Sequence, residues 1–312
     1  MSSVTLTDHA DAFLNFLSVQ KNYSEHTLRA YHNDLYEFIW YVAGQSHLNP
    51  ENPKEMSSLL VSHVDALSIR AYLGHLYKKK NKKSSVARKL SALRSFFKYL
   101  LKHEVIKNNP ADLVMTPKQD KPIPAYLTVD DIFRLLDSID TDPLSGKRDR
   151  AMFETLYSTG IRVSELAGLD PDHVDCTAGL IRVLGKGNKE RVVPIGKKAL
   201  TAIGEYREAL LHVESGLVMD PSALFLNSRG GRITERSIAR ILKERALFCG
   251  IGVPIFPHAV RHTFATHMLD AGADLRGVQE ILGHESLSTT QKYTHVTIDR
   301  LMKVYDKAHP RK

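Results

Sequence analysis

The most restrictive feature of this sequence is a break. Thr116–Ala125 (TPKQDKPIPA) holds three prolines in ten residues and shows no apolar periodicity. Proline lacks an amide hydrogen and drives its predecessor into extended backbone, so no helix or central strand runs through such a stretch. The 312-residue chain is therefore expected to divide into a domain at 1–117, a linker at 118–125 and a second domain at 126–312. With 43% apolar residues, both parts have the material for a core, which excludes a disordered chain.

Before the break the periodicity is helical. Ser24 can cap a helix whose apolar residues Leu28, Tyr31, Leu35, Phe38, Ile39 and Val42 share one face. A second helix is expected over about Val64–Tyr77. A third, starting at Ser84 or Ser85, carries Val86, Leu90, Leu93, Phe97 and Leu100 in alternating steps of four and three. Arg94, Lys98 and Lys102 form a separate basic row on that helix. Just before it, five lysines (Lys78, Lys79, Lys80, Lys82 and Lys83) fall within six residues. A solvated surface accounts for most basic rows, but the adjoining run favours phosphate contact, and Arg88 joins the candidate set. This part has 15 Lys and Arg against 10 Asp and Glu, a net of +5, while the remainder has 28 against 25, a net of +3.

After the break, Thr128 and Asp131 resemble a capping box opening a helix through Leu136. A helix is expected over Ala151–Leu166. Leu180–Leu184 and Arg191–Ile195 alternate β-formers around Gly185–Glu190, which predicts a hairpin. Further helices are expected near Lys198–His212, Thr234–Phe248, Ala259–Ala271 and Leu275–Leu282. The second domain thus reads as mostly helical with a small sheet. The last stripe, Ile298, Leu301, Met302, Val304 and Tyr305, is too short a helix to stand alone, so it must either fold back or dock elsewhere.

The net charge of +8 and pI near 9.3 favour a polyanionic partner. Cys176 and Cys249 lack metal or redox spacing and read as two small buried residues. The N-terminus has no export signal and no stretch is long and apolar enough to span a membrane, so a cytoplasmic protein is expected. No GxxxxGK[ST] is present, and ATP chemistry is unsupported.

Three clusters carry chemistry: TGIRVSEL at Thr159–Leu166, VLGKGNKERVVPI at Val183–Ile195, and Phe256–Val296 with its His258, Arg261, His284 and Tyr293. Two arginines, a lysine, two histidines and a tyrosine can bind a phosphodiester, stabilise its transition state and attack it without a metal. Taken singly each residue has a bland reading: Tyr293 as packing, Arg162 and Glu165 as a surface pair on one helical face, Lys186 as a turn lysine. His258 and His262 have zinc-like spacing, but the arginine between them would repel a cation. Paired arginines suit phosphate because the guanidinium fork bonds two oxygens.

Nearly end to end, the chain resembles the tyrosine recombinases (the phage integrase family) of the Xer type, with a C-terminal end closest to the XerC type. The match rests on TGIRVSELAGL, GKGNKERVVPI, HAVRHTFATHML, LGHESLSTTQKYTHV and VYDKAHPRK, with YSEHTLRAYHNDL and SSVARKLSALRSFFKYL upstream. The resemblance implies a mainly α fold, with an N-terminal SAM-like helical core-binding domain and an α-rich catalytic domain bearing a small antiparallel β-sheet. It implies that Arg162 and Arg261 hold the scissile phosphate and His284 bonds a non-bridging oxygen. Lys186 would protonate the 5′ hydroxyl, His258 would assist the nucleophile, Glu165 would support the site, and Tyr293 would form a 3′-phosphotyrosine. It implies no cofactor or metal. The implied partner is double-stranded DNA with inverted half-sites, bound as a tetramer on two duplexes with a sister recombinase of XerD type and a division-associated DNA translocase. The implied role is resolution of chromosome dimers. An integrase of a mobile element, a type IB topoisomerase-like relaxing enzyme and a DNA-binding protein with a dead site are the alternatives. The resemblance also favours docking of 297–312 into a neighbouring protomer.

Overall fold

The computed structural model describes residues 4–118, 126–185, 190–213, 220–252, 255–283 and 295–312. It separates into two compact units, Met1–Pro122 and Ile123–Lys312. Residues 119–125, nearly all of the expected linker, lie outside the described residues.

The N-terminal unit is built from α1 (Leu6–Val19), α2 (Glu25–Gln45), α3 (Pro53–Met56), α4 (Ala66–Lys78) and α5 (Lys83–Lys102). Ser24 caps α2 by accepting from the Thr27 amide, and Asp65 caps α4 through Ser68. α1 was not expected from the sequence. It hides an apolar face of Leu6, Ala10, Phe13 and Leu17 among polar residues and opens on a Thr5–Asp8 capping box. α5 starts one residue before the expected serines, and Lys82 gives its end no side-chain bond. The core joins Phe13, Leu35, Phe38, Tyr72, Leu90, Phe96 and Phe97. Between α2 and α5 lies a buried ion cluster. Lys89 reaches Asp34 at 3.2 Å and Glu37 at 2.6 Å, and Arg88 pairs with Asp34.

The second unit holds α6 (Val129–Asp137), α7 (Leu144–Thr159), α8 (Val163–Ala167), β1 (Val174–Asp175), β2 (Leu180–Leu184), β3 (Glu190–Pro194), α9 (Lys197–Leu211), α10 (Glu235–Phe248), α11 (Pro257–Asp270), α12 (Leu275–Leu282) and α13 (His295–Ala308). The described strands form an antiparallel sheet in the order β1–β2–β3, with Ile181 opposite Val193 and Val183 opposite Arg191. α7 is the central element: every residue from Ala151 to Thr159 is buried, and α8, α9, α11 and β3 pack against it. Thr128 caps α6 as expected, its hydroxyl accepting from the Asp131 amide at 3.1 Å. Among the described residues no helix is long and apolar enough to cross a membrane.

Two expectations change. The single helix over Ala151–Leu166 is broken after Thr159, because Gly160 adopts φ 61° and α8 begins only at Val163. The cysteines are not two buried residues. Cys176 is exposed in the turn after β1, and Cys249 is half-buried at the end of α10, with its Sγ 2.9 Å from Ser138 Oγ. The C-terminal stripe packs on its own unit: Leu301, Tyr305 and Ala308 join the core around α7. The Tyr305 hydroxyl lies 2.7 Å from Ser158 Oγ, His309 bonds the Tyr157 carbonyl, and Arg311 grips Glu154. These polar groups are all met on α7.

Candidate active site

The site grows from the break in α7. At Gly160 an added Cβ would run into Phe264 of α11 and Leu282 of α12, so the chain passes close beneath both helices. The next turn makes Arg162 the N-cap of α8 instead of a residue within a helix. Its amide donates to Glu165 Oε2 at 2.7 Å and its guanidinium to Oε1 at 2.9 Å. Arg162 and Glu165 are thus brought together by a cap, not by a shared helical face.

Glu165 is about 2% exposed at the side chain and has a second arginine. Arg191 of β3 grips it with two prongs, Nη1 to Oε1 at 2.7 Å and Nη2 to Oε2 at 2.8 Å. The Arg191 Nε–H also donates to the Ile281 carbonyl at 3.3 Å. Burial pushes the Glu165 carboxyl up, but the hydrogen bonds and charge of Arg191, with those of Arg162, hold it below the usual range. Arg191 stands within one of the motifs but was expected to have no role of its own. The signal was present: it stands opposite Val183, two residues from buried Val193, where alternation calls for an apolar side chain.

Arg261 comes from the first turns of α11. Its Nη1 donates to the Gly160 carbonyl and its Nη2 to the Leu282 carbonyl, both at 2.7 Å. Burial brings its pKa down to about 10; Arg162 and Arg191 push the same way and Glu165 opposes them. The arginines therefore lie within each other's fields. His258 is exposed at the start of α11, and His262 is half-buried with the Tyr126 ring edge-on at 6.3 Å.

Lys186, His284 and Tyr293 fall outside the described residues. Their flanks are described. Gly185 follows β2, whose partner strand carries Arg191. Gly283, at φ 68°, ends α12 immediately before His284, and a Cβ there would lie 2.9 Å from Arg191 Cδ. α13 begins two residues beyond Tyr293. Arg191 and Arg261 thus hold the last turn of α12, which leads in sequence to His284.

Chemically, among the described residues two guanidiniums bond the Glu165 carboxylate and a third lies within its field, leaving a surplus of positive charge, and the Arg162 side chain remains 38% exposed. Such a centre accepts an anion with several oxygens. Among the described residues no group of three or more His, Cys, Asp or Glu could hold a metal ion.

In the N-terminal unit, Lys78, Lys79, Lys80, Lys82, Lys83, Arg88, Lys98 and Lys102 are exposed. Arg94 departs from the expected phosphate row. Its Nε donates to the Ala111 carbonyl at 3.3 Å, its Nη1 to Thr116 Oγ1 at 2.7 Å, and its Nη2 to the Val114 carbonyl. The chain beyond α5 folds back over Arg94 and uses its fork as a clamp.

The model of the phage integrase family matches residues 125–300, and that of the phage integrase N-terminal SAM-like domain matches residues 10–104. The chain is 47% identical over 302 residues to the tyrosine recombinase XerC of Syntrophus aciditrophicus, covering 96% of each. It is 46% identical to that of Thermodesulfovibrio yellowstonii, covering 96% of this chain and 95% of the relative. A crystal structure of the XerH site-specific recombinase bound to difH substrate has the same fold, with a TM-score of 0.65 at 20% identity, over 97% of this chain and 82% of that one.

Proposed function

The chain belongs to the phage integrase family, and on that premise we propose how its residues perform site-specific recombination. It is a tyrosine recombinase, an enzyme that breaks and rejoins DNA strands by transesterification. Arg162 and Arg261 hold the non-bridging oxygens of the scissile phosphate and His284 bonds one of them. Tyr293 Oη attacks phosphorus, the bond to the 5′ oxygen breaks, and Lys186 gives that oxygen its proton. The tyrosyl proton passes to His258, and a 3′-phosphotyrosine ester remains. A 5′ hydroxyl from the other duplex then attacks the ester, reverses the bond changes and rejoins the strand, so phosphoester energy is conserved throughout. The observation that carries this reading is the surplus of guanidinium charge around Glu165, with the Arg162 fork half open to an incoming oxyanion.

The substrate is duplex DNA, and the protein acts as a multimer. Its finer assembly is four protomers on two duplexes with inverted half-sites, shared with a sister recombinase of XerD type and driven by a division-associated DNA translocase. The N-terminal unit, with exposed Lys78–Lys80 and Lys98, is the DNA clamp. Resolution of chromosome dimers in the cytoplasm is the cellular role, supported by relatives that carry the XerC name at 46–47% identity over most of their length.

The test is covalent capture. On duplex DNA nicked near the exchange point, the protein should form an SDS-stable adduct, and Tyr293→Phe should form none while binding DNA normally. An adduct of normal yield from the phenylalanine variant refutes Tyr293 as nucleophile. Absence of an adduct from the parent protein on its own site refutes the reaction.

A further inference from the structure

Arg191 is a buried cation whose hydrogen bonds all run to parts of the site. Two of them occupy both oxygens of Glu165, at 2.7 and 2.8 Å, and another reaches the Ile281 carbonyl at 3.3 Å. Leu282, the next residue, gives its carbonyl to Arg261, and Gly283 packs its backbone against the Arg191 side chain. Leucine or valine is the usual solution at a core-side strand position opposite Val183. An arginine there costs desolvation that only a demand of the site would offset.

That demand is visible at Glu165. This carboxylate caps α8 by accepting the Arg162 amide, which sets the backbone from which Arg162 projects. A buried carboxylate next to Arg162 would also draw the guanidinium onto itself and cancel the charge needed by a phosphate. Arg191 takes up both oxygens, so that the Arg162 guanidinium shares only Oε1 and the side chain stays 38% exposed. From this geometry we infer that Arg191 is a positioning residue that neutralises Glu165. It thereby leaves the charge of Arg162 for the scissile phosphate, and it ties β3 to the end of α12 where His284 begins. This role rests on the recombinase reading of the site. It falls to a residue that touches no substrate.

The decisive variant is Arg191→Lys, which keeps the charge but cannot make a two-pronged contact. Adduct formation at saturating nicked DNA should slow about tenfold, while half-site affinity stays within threefold of the parent. The defect should shrink on a substrate whose scissile phosphate carries a methyl in place of one non-bridging oxygen. That linkage is uncharged, so the charge of Arg162 matters less. A purely structural role would slow both substrates equally. Two further variants test neutralisation directly. Arg191→Met strands the Glu165 charge and should lose the adduct and much stability together. Glu165→Gln/Arg191→Met removes both charges while the glutamine amide oxygen still accepts the Arg162 amide, and it should refold and recover most of the lost rate. Full activity in Arg191→Lys overturns the inference. So does an equal defect on the charged and uncharged linkages, a fall in DNA affinity matching the fall in rate, or a folded double variant as inactive as a catalytic null. A parent protein that forms no adduct would sink the recombinase reading instead, a different result from an active parent with an indifferent Arg191.

Discussion

Glu154 in α7 and Glu165 in α8 are both buried carboxylates gripped by an arginine, yet their surroundings differ in charge count. Around Glu154 the described charges balance: Asp137 and Glu154 face Arg150 and Arg311, and the Arg311 and Glu154 side chains are each about 2% exposed. Around Glu165 the described residues do not balance, since Arg162, Arg191 and Arg261 surround one carboxylate. A balanced cluster has no use for an external ion, and here the buried Glu154 and Arg311 side chains satisfy each other. An unbalanced one holds like charges together at a cost and recovers that cost when an anion arrives. Burial and then the neighbouring arginines bring the Arg261 pKa down to about 10, with Glu165 opposing them. The first cluster fastens the C-terminus, and the second is the one we propose receives the phosphate.

This contrast can be broken by substitutions. The largest effect is expected on rate, from Arg162→Ala. Loss of one preorganised donor should slow adduct formation by about 10²–10³. Stability should change by no more than about 0.5 kcal/mol, because Arg162 is partly exposed and Arg191 still holds Glu165. A large fall in melting temperature would mean that Arg162 is structural and that the two clusters are alike.

Arg311→Ala should show the reverse. Among the described residues it leaves buried Glu154 with Arg150 alone as ion-pair partner, and it should cost about 3–5 kcal/mol. For a unit of this size that corresponds to a fall of about 10 °C in melting temperature. The folded fraction, assayed cold, should form adduct within about tenfold of the parent, and Glu154→Gln/Arg311→Met should regain part of the stability. Normal thermal stability in Arg311→Ala would remove the structural half of the contrast.

Next in size is a pH effect beside the Glu154 cluster. His309 lies between Tyr305 and Tyr157, donates from Nε2 to the Tyr157 carbonyl, and accepts the Arg311 amide at Nδ1 at 3.0 Å. Burial lowers its pKa to about 4. The unfolded chain takes up a proton near pH 6.5 and the folded chain resists until about pH 4. The contribution is therefore complete above pH 6.5 and is lost as pH falls from there to about 4. The loss amounts to at most about 3 kcal/mol for a shift of this size. Glu165, held low by Arg191 and Arg162, loses its own contribution only as pH falls through its depressed range, below the ordinary carboxylate value. Thermal melts between pH 7 and 5 should decline, and His309→Gln should flatten that decline. Equal slopes in both proteins would assign the acid sensitivity elsewhere.

The smallest effect extends the contrast to the N-terminal unit. There Arg94 is committed to backbone carbonyls, while Lys98 and Lys102 on the same helix are exposed. Replacing the two lysines with alanine should reduce the slope of log affinity against log salt by about 0.9 for each phosphate that is no longer neutralised. Arg94→Ala should leave that slope unchanged and lower thermal stability instead. An unchanged slope in the lysine variant would return the row to plain solvated surface.

Much of this protein was readable in order along the chain. The caps at Ser24 and Thr128, the hairpin of β2 and β3, and α12 appear where local pattern put them, because these features depend on neighbours a few residues away. α1 was missed although its signal was present: Leu6, Ala10, Phe13 and Leu17 fall in steps of four and three behind a Thr5–Asp8 cap. The break at Gly160 was hidden for another reason: a glycine inside a helical pattern is tolerated, and only Phe264 and Leu282, far along the chain, require a turn there. Of the expected catalytic residues, Arg162 and Arg261 lie in one network with Glu165, while Lys186, His284 and Tyr293 stand beyond the described residues.

What the sequence determined by itself was the chemistry and the kind of fold: residue types in a fixed order, helical periods, one hairpin, and a break between two domains. Those are matters of local pattern and of which functional groups exist. Tertiary structure decided how each charge is spent. Strand alternation sets Arg191 on the buried face but does not say what it meets there, and nothing local distinguishes Arg94 from Lys98. Whether a guanidinium meets a carboxylate, a carbonyl or open solvent is set by segments distant in the chain. Coulomb and desolvation energies depend on distance and burial rather than on sequence position, so only the folded chain could assign them.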